Sequence, residues 1–145
     1  MAVQALAADV AIIGAGTAGM TAFSAVRRAG KRPVLIESGP YGTMCARVGC
    51  MPSKLLIAAA DAAQAVRGSQ IFGVEAGSPV IDGEAVMKRV RDERDRFVSF
   101  AVDTVGNYAA ETKLRGPARF LSDTRLLIGD HTQLDVRATV IATGS

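Results

Sequence analysis

Two closely spaced cysteines are the residues of this sequence whose types most directly indicate chemistry. Cys45 and Cys50 are separated by four residues, and the segment Met-Pro-Ser-Lys54 follows them. Such a pair could form a structural disulfide, a metal site or a redox-active disulfide. A structural disulfide over so short a loop would contribute only about 2 kcal/mol, and a metal site would need further ligands, whereas the single histidine, His131, is distant. We therefore favour the redox interpretation.

The spacing of the cysteines also constrains the backbone between them. On a regular helix their Cα atoms would lie roughly 8.6 Å apart, too far for a disulfide without distortion. A bridge therefore requires a bend, which Gly49 and Pro52 make easier, and a strained bridge is easily reduced. The helix start after the pair and nearby Lys54 are expected to stabilise a thiolate and lower its pKa.

A glycine-rich turn indicates a dinucleotide site. Gly14, Gly16 and Gly19 form the pattern G-x-G-x-x-G. A predicted buried strand at 9–13 precedes it and a predicted helix at 20–29 follows it, which is the context that makes the pattern specific. The first glycine permits the tight turn, the second lets a pyrophosphate approach, and the third lets the helix pack closely on the sheet. The helix N-terminus then offers N–H groups and a positive dipole end to the phosphates.

Glu37 is the acidic partner of this turn. It ends a second predicted strand at 32–37, so that strand, helix and strand form one parallel crossover unit. Its carboxylate can accept hydrogen bonds from both ribose hydroxyls, and its charge would repel a 2′-phosphate, which argues against NADP at this site. On the motif alone, NAD and FAD remain equal candidates.

The remaining segments complete an α/β fold with a central parallel sheet, crossover helices and a small antiparallel β-meander. The predicted elements are a mainly helical stretch at 45–67, a loop at 68–82, a long amphipathic helix at 84–114, the meander strands 118–121, 125–128 and 133–137, and a buried strand at 139–145. The predicted apolar stripes are Leu55, Leu56, Ala59, Ala63 and Val66 on the first helical stretch, and Val86, Val90, Phe97, Ala101, Val105 and Tyr108 on the long helix.

Length and composition exclude several classes of protein. The chain has 145 residues, 49% of them hydrophobic and 21% charged, which suits one folded domain and excludes a disordered chain. The net charge is +3, but acidic and basic residues alternate, so we do not favour nucleic-acid binding. No segment has the roughly 20 apolar residues of a membrane span or the pattern of an export signal. We expect a cytoplasmic protein without nucleic-acid or membrane partners.

Five motifs together resemble the N-terminal FAD domain of the class I pyridine nucleotide-disulphide oxidoreductases, over the whole chain. Within that family the chain looks most like the dihydrolipoamide dehydrogenases, and glutathione and mercuric reductases are relatives. The motifs are Gly14-x-Gly-x-x-Gly19, Glu37, Cys45-x4-Cys50-Met-Pro-Ser-Lys54, Gly116-Pro-Ala118 and Ala142-Thr-Gly144.

The resemblance implies a Rossmann-like FAD-binding domain and assigns its residues. Cys50 would lie against the flavin, Cys45 would exchange with substrate, and Lys54 would sit near the flavin and share in catalysis. The glycines would line the pyrophosphate, Glu37 would hold the adenosine ribose, and Ala118 would meet the adenine through its backbone. The implied FAD-binding residues are Gly14, Gly16, Gly19, Glu37, Ser38, Lys54, Ala118, Thr143 and Gly144.

The resemblance also implies a reaction. Two electrons would pass from a dithiol, dihydrolipoamide, to the Cys45–Cys50 disulfide and through tightly but non-covalently bound FAD to NAD. The implied partners are a lipoyl domain of a 2-oxo acid dehydrogenase complex and, at full length, a second copy of the chain. The alternatives are a related glutathione or mercuric reductase, or a nucleotide-binding module with an inert disulfide.

The chain departs from the family pattern near the first cysteine. Gly42-Thr43-Met44 stands where the family has Gly-Gly-Thr, and Arg47 stands where it has asparagine. We hypothesise that Arg47 lowers the thiolate pKa. His131 matches no catalytic motif and is expected to be an exposed turn residue. Since neither a second glycine motif nor the family's His–Glu base follows, residues 1–145 are expected to be an N-terminal fragment without the NAD and interface domains, with little turnover alone.

Overall fold

The computed structural model describes residues 3–144. They divide into two compact units, one made of residues up to Thr43 together with those from Phe100 onward, and one made of Met44–Ser99. The elements in chain order are β1 (Gln4–Ala7), β2 (Val10–Ile13), α1 (Thr17–Arg28), β3 (Pro33–Glu37), α2 (Met44–Val48), α3 (Cys50–Gly68), a 3₁₀ turn (Ser69–Phe72), α4 (Gly83–Gly106), a second 3₁₀ turn (Ala110–Thr112), β4 (Lys113–Arg115), β5 (Ala118–Ser122), β6 (Arg125–Ile128), β7 (Thr132–Asp135) and β8 (Ala138–Ile141).

The first unit is built on a parallel sheet with the strand order β4-β3-β2-β8. The strands β2 and β3 are joined through α1, so the predicted crossover unit is confirmed. Both strands are continuous apolar runs, as expected for a parallel sheet that is covered on both of its faces. Ala11 and Ile36 belong to a cluster on one face, and Ile12 and Leu35 belong to a cluster on the other.

A second, mixed sheet has the order β1-β7-β6-β5. Its three strands β5, β6 and β7 are the predicted antiparallel meander. Strand β1 was not predicted, and it adds to the meander in parallel with β7. Leu126, Ile128 and Leu134 are fully buried and share one apolar cluster with Ala11 and Ile36. The mixed sheet therefore packs on one face of the parallel sheet.

Helix α1 covers the other face of the parallel sheet. Its buried residues are Gly19 and Phe23, and the Phe23 ring stacks on Tyr108 with centroids 4.0 Å apart. Gly30 ends the helix region with a φ of 70°, a left-handed conformation that glycine adopts without strain. The unit therefore has three layers, with the parallel sheet in the middle.

The second unit is helical. The predicted helical stretch at 45–67 is two helices, α2 and α3, with Gly49 belonging to neither. Leu55, Ala59, Ala63 and Val66 form a half-buried stripe on α3, as predicted, but Leu56 is 47% exposed and does not belong to it.

The long helix is shorter than its pattern indicated. α4 ends at Gly106, residues 107–109 form a turn, and the residues from 110 to 114 form a 3₁₀ turn and most of β4. Lys113 explains the stop, because its Nζ donates to the carbonyl oxygens of Val105 and Gly106 at 3.0 and 2.9 Å and so caps the helix. Val90 and Val105 of the predicted stripe are buried. Among residues 3–144, no helix has both the length and the apolar character that crossing a bilayer requires.

Candidate dinucleotide site and cysteine pair

The glycine-rich turn of the first unit has no room for side chains at two of its glycines. Gly14 has a φ of 109°, and a Cβ there would overlap the carbonyl oxygen of Ala142. A Cβ on Gly19 would overlap the carbonyl oxygen of Gly14. The first and third glycines of the pattern are therefore required by the close approach of β2, α1 and the segment after β8.

Gly16 is different, because a Cβ there would meet no atom of residues 3–144 within 4 Å. It is the N-cap residue of α1, whose first turn carries no acidic residue, and no side chain caps it. The N–H groups of that turn have no acceptors four residues earlier within the helix. An open space at a helix N-terminus whose first N–H groups lack intrahelical acceptors fits a pyrophosphate group.

The Glu37 carboxylate is fixed by two backbone donors. The N–H of Ala15 donates to Oε2 at 2.8 Å, and the N–H of Gly39 donates to Oε1 at 2.7 Å. Each carboxylate oxygen accepts more than one hydrogen bond, so Glu37 retains acceptor capacity for two ribose hydroxyls. The hydrogen bond from the Ala15 N–H also attaches the Glu37 carboxylate to the glycine turn. The sequence did not reveal this role of Ala15, because the donor is a backbone group and not a side chain. Ser38 lies exposed between Glu37 and Gly39.

The segment after β8 reaches the same turn. The N–H of Ala142 donates to the carbonyl oxygen of Ile13 at 2.8 Å, and the Thr143 nitrogen lies 3.1 Å from the position of a Cβ on Gly14. Gly144 follows with a φ of 76°. Thr143 is therefore placed at the carboxyl edge of the parallel sheet, where ligands of such sheets bind.

Ala118 has backbone groups available for a ligand. The N–H of Gly129 donates to the carbonyl oxygen of Pro117 at 2.8 Å, and the next pair along the ladder is Ala118 opposite Ile128. Hydrogen-bonded and non-hydrogen-bonded pairs alternate in an antiparallel ladder, so the N–H and C=O of Ala118 point away from β6. Since β5 ends the strand order of its described sheet, these groups face an open edge, as an adenine contact requires.

The cysteine pair of the second unit lies across the break between α2 and α3. Cys45 belongs to α2, Cys50 is the first residue of α3, and both are exposed free thiols. The predicted bend is confirmed, because Gly49 separates the two helices. The Ser53 hydroxyl donates to the carbonyl oxygens of Gly49 at 2.9 Å and Cys50 at 3.1 Å, which secures the start of α3.

The Cys45 and Cys50 thiols are in contact, and this contact changes the pKa of Cys45. A hydrogen bond with the Cys50 thiol, then partial desolvation and then the Cys50 charge raise the pKa of Cys45 above its usual value. A hydrogen bond from the Cys50 backbone N–H and then the positive charge of Lys54 act in the opposite direction but more weakly. For Cys45 the expected lowering of the pKa is therefore wrong, and Arg47 is not among the groups that act on it most strongly.

Three other residues considered in the sequence analysis, Lys54, Thr43 and His131, have the following positions. Lys54 is an exposed residue of α3. Thr43, displaced from its family position, has a φ of 49°, which is uncommon for a β-branched residue. His131 is an exposed turn residue, as predicted, with its Nδ1 2.8 Å from the Thr132 hydroxyl.

Comparisons with known proteins agree with this geometry. The family model described as pyridine nucleotide-disulphide oxidoreductase matches residues 8–145. The mercuric reductase of Shigella flexneri is 34% identical over 96% of this chain and 26% of its own length. The dihydrolipoyl dehydrogenase of Bacillus subtilis is 31% identical over 94% of this chain and 31% of its own length.

A solved structure supports the fold. The HOCl-induced flavoprotein disulfide reductase RclA of Escherichia coli superposes with a TM-score of 0.69 and 22% identity, over 94% of this chain and 28% of that protein. The chain thus spans roughly a quarter to a third of the length of these relatives.

Proposed function

Because the chain belongs to the pyridine nucleotide-disulphide oxidoreductase family, we propose that it forms the FAD- and disulfide-carrying part of an oxidoreductase that exchanges two electrons with a thiol substrate. The observation that carries the proposal is the contact of the Cys45 and Cys50 thiols across the helix break at Gly49. Two thiols that share a hydrogen bond are neighbours that an oxidant can join as a disulfide and a reductant can separate again.

The residues of the first unit suit the binding of FAD. The open space at Gly16 and the uncapped start of α1 would receive the pyrophosphate. Glu37, held by two N–H groups, would receive the adenosine ribose, and the outward-facing backbone of Ala118 would receive the adenine. When bound, FAD supplies two-electron chemistry between thiols and a nicotinamide.

The cysteines of the second unit carry the substrate half of the proposed reaction. A thiolate of the substrate dithiol attacks the Cys45 sulfur of the oxidised pair, which forms a mixed disulfide and releases Cys50 as a thiolate. The second substrate thiolate then attacks the substrate sulfur of the mixed disulfide. This releases a cyclic disulfide and the Cys45 thiolate, and the two protein thiolates receive the two protons of the substrate thiols.

The raised pKa of Cys45 affects the two directions of exchange differently. A thiol of higher pKa is a stronger nucleophile once deprotonated but a poorer leaving group. In the direction of the proposed reaction, Cys45 is the leaving group of the second step, so its raised pKa slows that release. In the reverse direction the raised pKa makes Cys45 a stronger nucleophile once it is deprotonated, and the hydrogen bond to Cys50 keeps the reduced pair together.

Dihydrolipoamide is the substrate that we propose, with NAD as the electron acceptor of the whole protein and a lipoyl domain as its carrier. The support is the identity with a dihydrolipoyl dehydrogenase over 94% of the chain. A second candidate is mercuric ion, a soft ion that thiolates bind, because a mercuric reductase is 34% identical over 96% of the chain.

A single-turnover thiol count tests the proposal without a nicotinamide. The oxidised protein is mixed with one equivalent of dihydrolipoamide, the small thiols are removed, and the protein thiols are counted. We expect two new thiols in the native chain and no cyclic lipoamide product with Cys45→Ser. An unchanged thiol count in the native chain would contradict the proposal, and stoichiometric retention of Hg²⁺ by the reduced pair without reaction with lipoamide would favour the second candidate.

A further inference from the structure

Arg115 holds the loop that follows the ribose carboxylate. It ends β4 and lies opposite Glu37 in the register of the parallel sheet. Its Nη1 donates to the carbonyl oxygen of Gly39, and its Cζ lies 4.7 Å from the centroid of the Tyr41 ring. One guanidinium group therefore contacts the loop at two places.

The contacts of Arg115 continue to the Glu37 carboxylate. Gly39 accepts from Arg115 with its carbonyl oxygen and donates with its N–H to Glu37 Oε1 at 2.7 Å. The other carboxylate oxygen accepts from Ala15 at 2.8 Å. Gly39 has the conformational freedom of glycine, so the donor on Oε1 keeps its place only while something fixes the residue.

Arginine suits this role better than lysine. Its planar guanidinium donates in a fixed direction and stacks on an aromatic ring at the same time. A lysine ammonium would supply the charge without the flat face. The combination of a directed hydrogen bond and a stacked ring is therefore specific to arginine at this position.

We propose that Arg115 is a positioning residue for the adenosine end of the FAD site, which acts through Gly39 and Tyr41 to hold the Glu37 carboxylate in its ribose-binding orientation. This inference rests on the proposed binding of FAD. It assigns Arg115 no contact with the flavin, so its loss weakens the binding of ligands that contain the adenosine ribose and leaves the binding of other ligands unchanged.

The test compares three ligands of the purified protein. FAD and ADP both contain the adenosine ribose, whereas FMN lacks it. Dissociation constants are measured by fluorescence titration for FAD and FMN, and by competition for ADP. The variants are Arg115→Met, Arg115→Lys and a control, Arg125→Met, whose arginine pairs with Asp135 on the mixed sheet.

We expect Arg115→Met to weaken FAD and ADP by about tenfold, the scale of a lost charged hydrogen bond, with FMN changed by less than about twofold on the same scale. Arg115→Lys is expected to lose nearly as much, and Arg125→Met to lose nothing. Undiminished FAD and ADP binding in Arg115→Met, or an equal loss for FMN, would overturn the inference. A native protein that binds no FAD would instead overturn the proposed function.

Discussion

The substitutions Gly16→Ala and Gly19→Ala each add one methyl group to the same glycine-rich turn. We expect the first to weaken FAD binding without loss of stability and the second to lower the stability of the fold. At Gly19 the new Cβ would overlap the carbonyl oxygen of Gly14 and lie 2.9 Å from its carbonyl carbon. These are backbone atoms of the strand-to-helix turn, so they cannot rotate away. At Gly16 the new Cβ would meet no atom of the described part of the chain within 4 Å.

The two costs follow from these contacts. Gly19→Ala must lift α1 from the sheet, and overpacking of this kind costs about 3 kcal/mol, which lowers the Tm by about 10 °C for a chain of this size. Gly16 has a φ of −76°, which alanine adopts freely. The entropy gained from alanine and the poorer N-cap nearly cancel, so stability should change by less than about 1 kcal/mol.

The assay is thermal unfolding without ligand together with FAD titration of both variants. We expect Gly16→Ala to keep its Tm and to bind FAD at least about tenfold more weakly, because the methyl group displaces a charged hydrogen-bonding group. Gly19→Ala is expected to lose stability even without FAD. Native FAD affinity in Gly16→Ala would refute the assignment of this space to the pyrophosphate, and a native Tm in Gly19→Ala would refute the packing argument.

Three further predictions concern the cysteines and the framework. Because the Cys50 thiol raises the pKa of Cys45, Cys50→Ala should move the alkylation midpoint of Cys45 to lower pH, and an unmoved or higher midpoint in a pH series of alkylation rates would contradict this. The pKa of Asp9 is lowered, first by a hydrogen bond from the Arg32 N–H and then by nearby positive charges. The ionised Asp9 carboxylate therefore stabilises the fold above its unfolded pKa of about 3.9, and this stabilisation is lost as the pH falls through the lower folded pKa. Asp9→Ala should lower the Tm at pH 7 but not near pH 2, which a pH series of unfolding curves would measure. An equal loss of Tm at both pH values would contradict this prediction. Lys113→Met removes the cap of α4 and should lower the Tm by about 4 °C, corresponding to about 1 kcal/mol, and an unchanged melting curve would show that the cap does not stabilise the helix.

The unit of β2, α1 and β3 could be predicted because its signals are local. An apolar run, a glycine pattern and a second apolar run follow one another directly. The helix begins at Thr17 and not at residue 20, because the tight packing of Gly19 on Gly14 outweighs the low helix propensity of glycine.

Two strands could not be predicted because they exist only through remote partners. Lys113 and Leu114 continue the predicted helical pattern in the sequence but pair with β3. Gln4–Ala7 have no strand pattern of their own and pair with β7, more than a hundred residues away. Tertiary pairing overrides local preference in both segments.

At the cysteine site, too, one feature could be predicted from the local sequence and another could not. The bend at Gly49 followed from the length of the segment between the cysteines and was confirmed. The direction of the Cys45 pKa did not follow, because it depends on a hydrogen bond between the two thiols, and spacing alone does not reveal whether charges or hydrogen bonds dominate.

The central claim is that the two sulfurs exchange an electron pair with a flavin, and an anaerobic titration tests it most directly. The protein is saturated with FAD and given two electrons per chain, and its visible spectrum is recorded. We predict that the two electrons produce a new absorbance at wavelengths beyond the flavin band in the native protein. Cys45→Ser, which cannot form the disulfide, is expected to show this absorbance before any electron is added, and Cys50→Ser is expected not to show it at all. Direct bleaching of the flavin band, with no new absorbance while both cysteines are present, would contradict the claim.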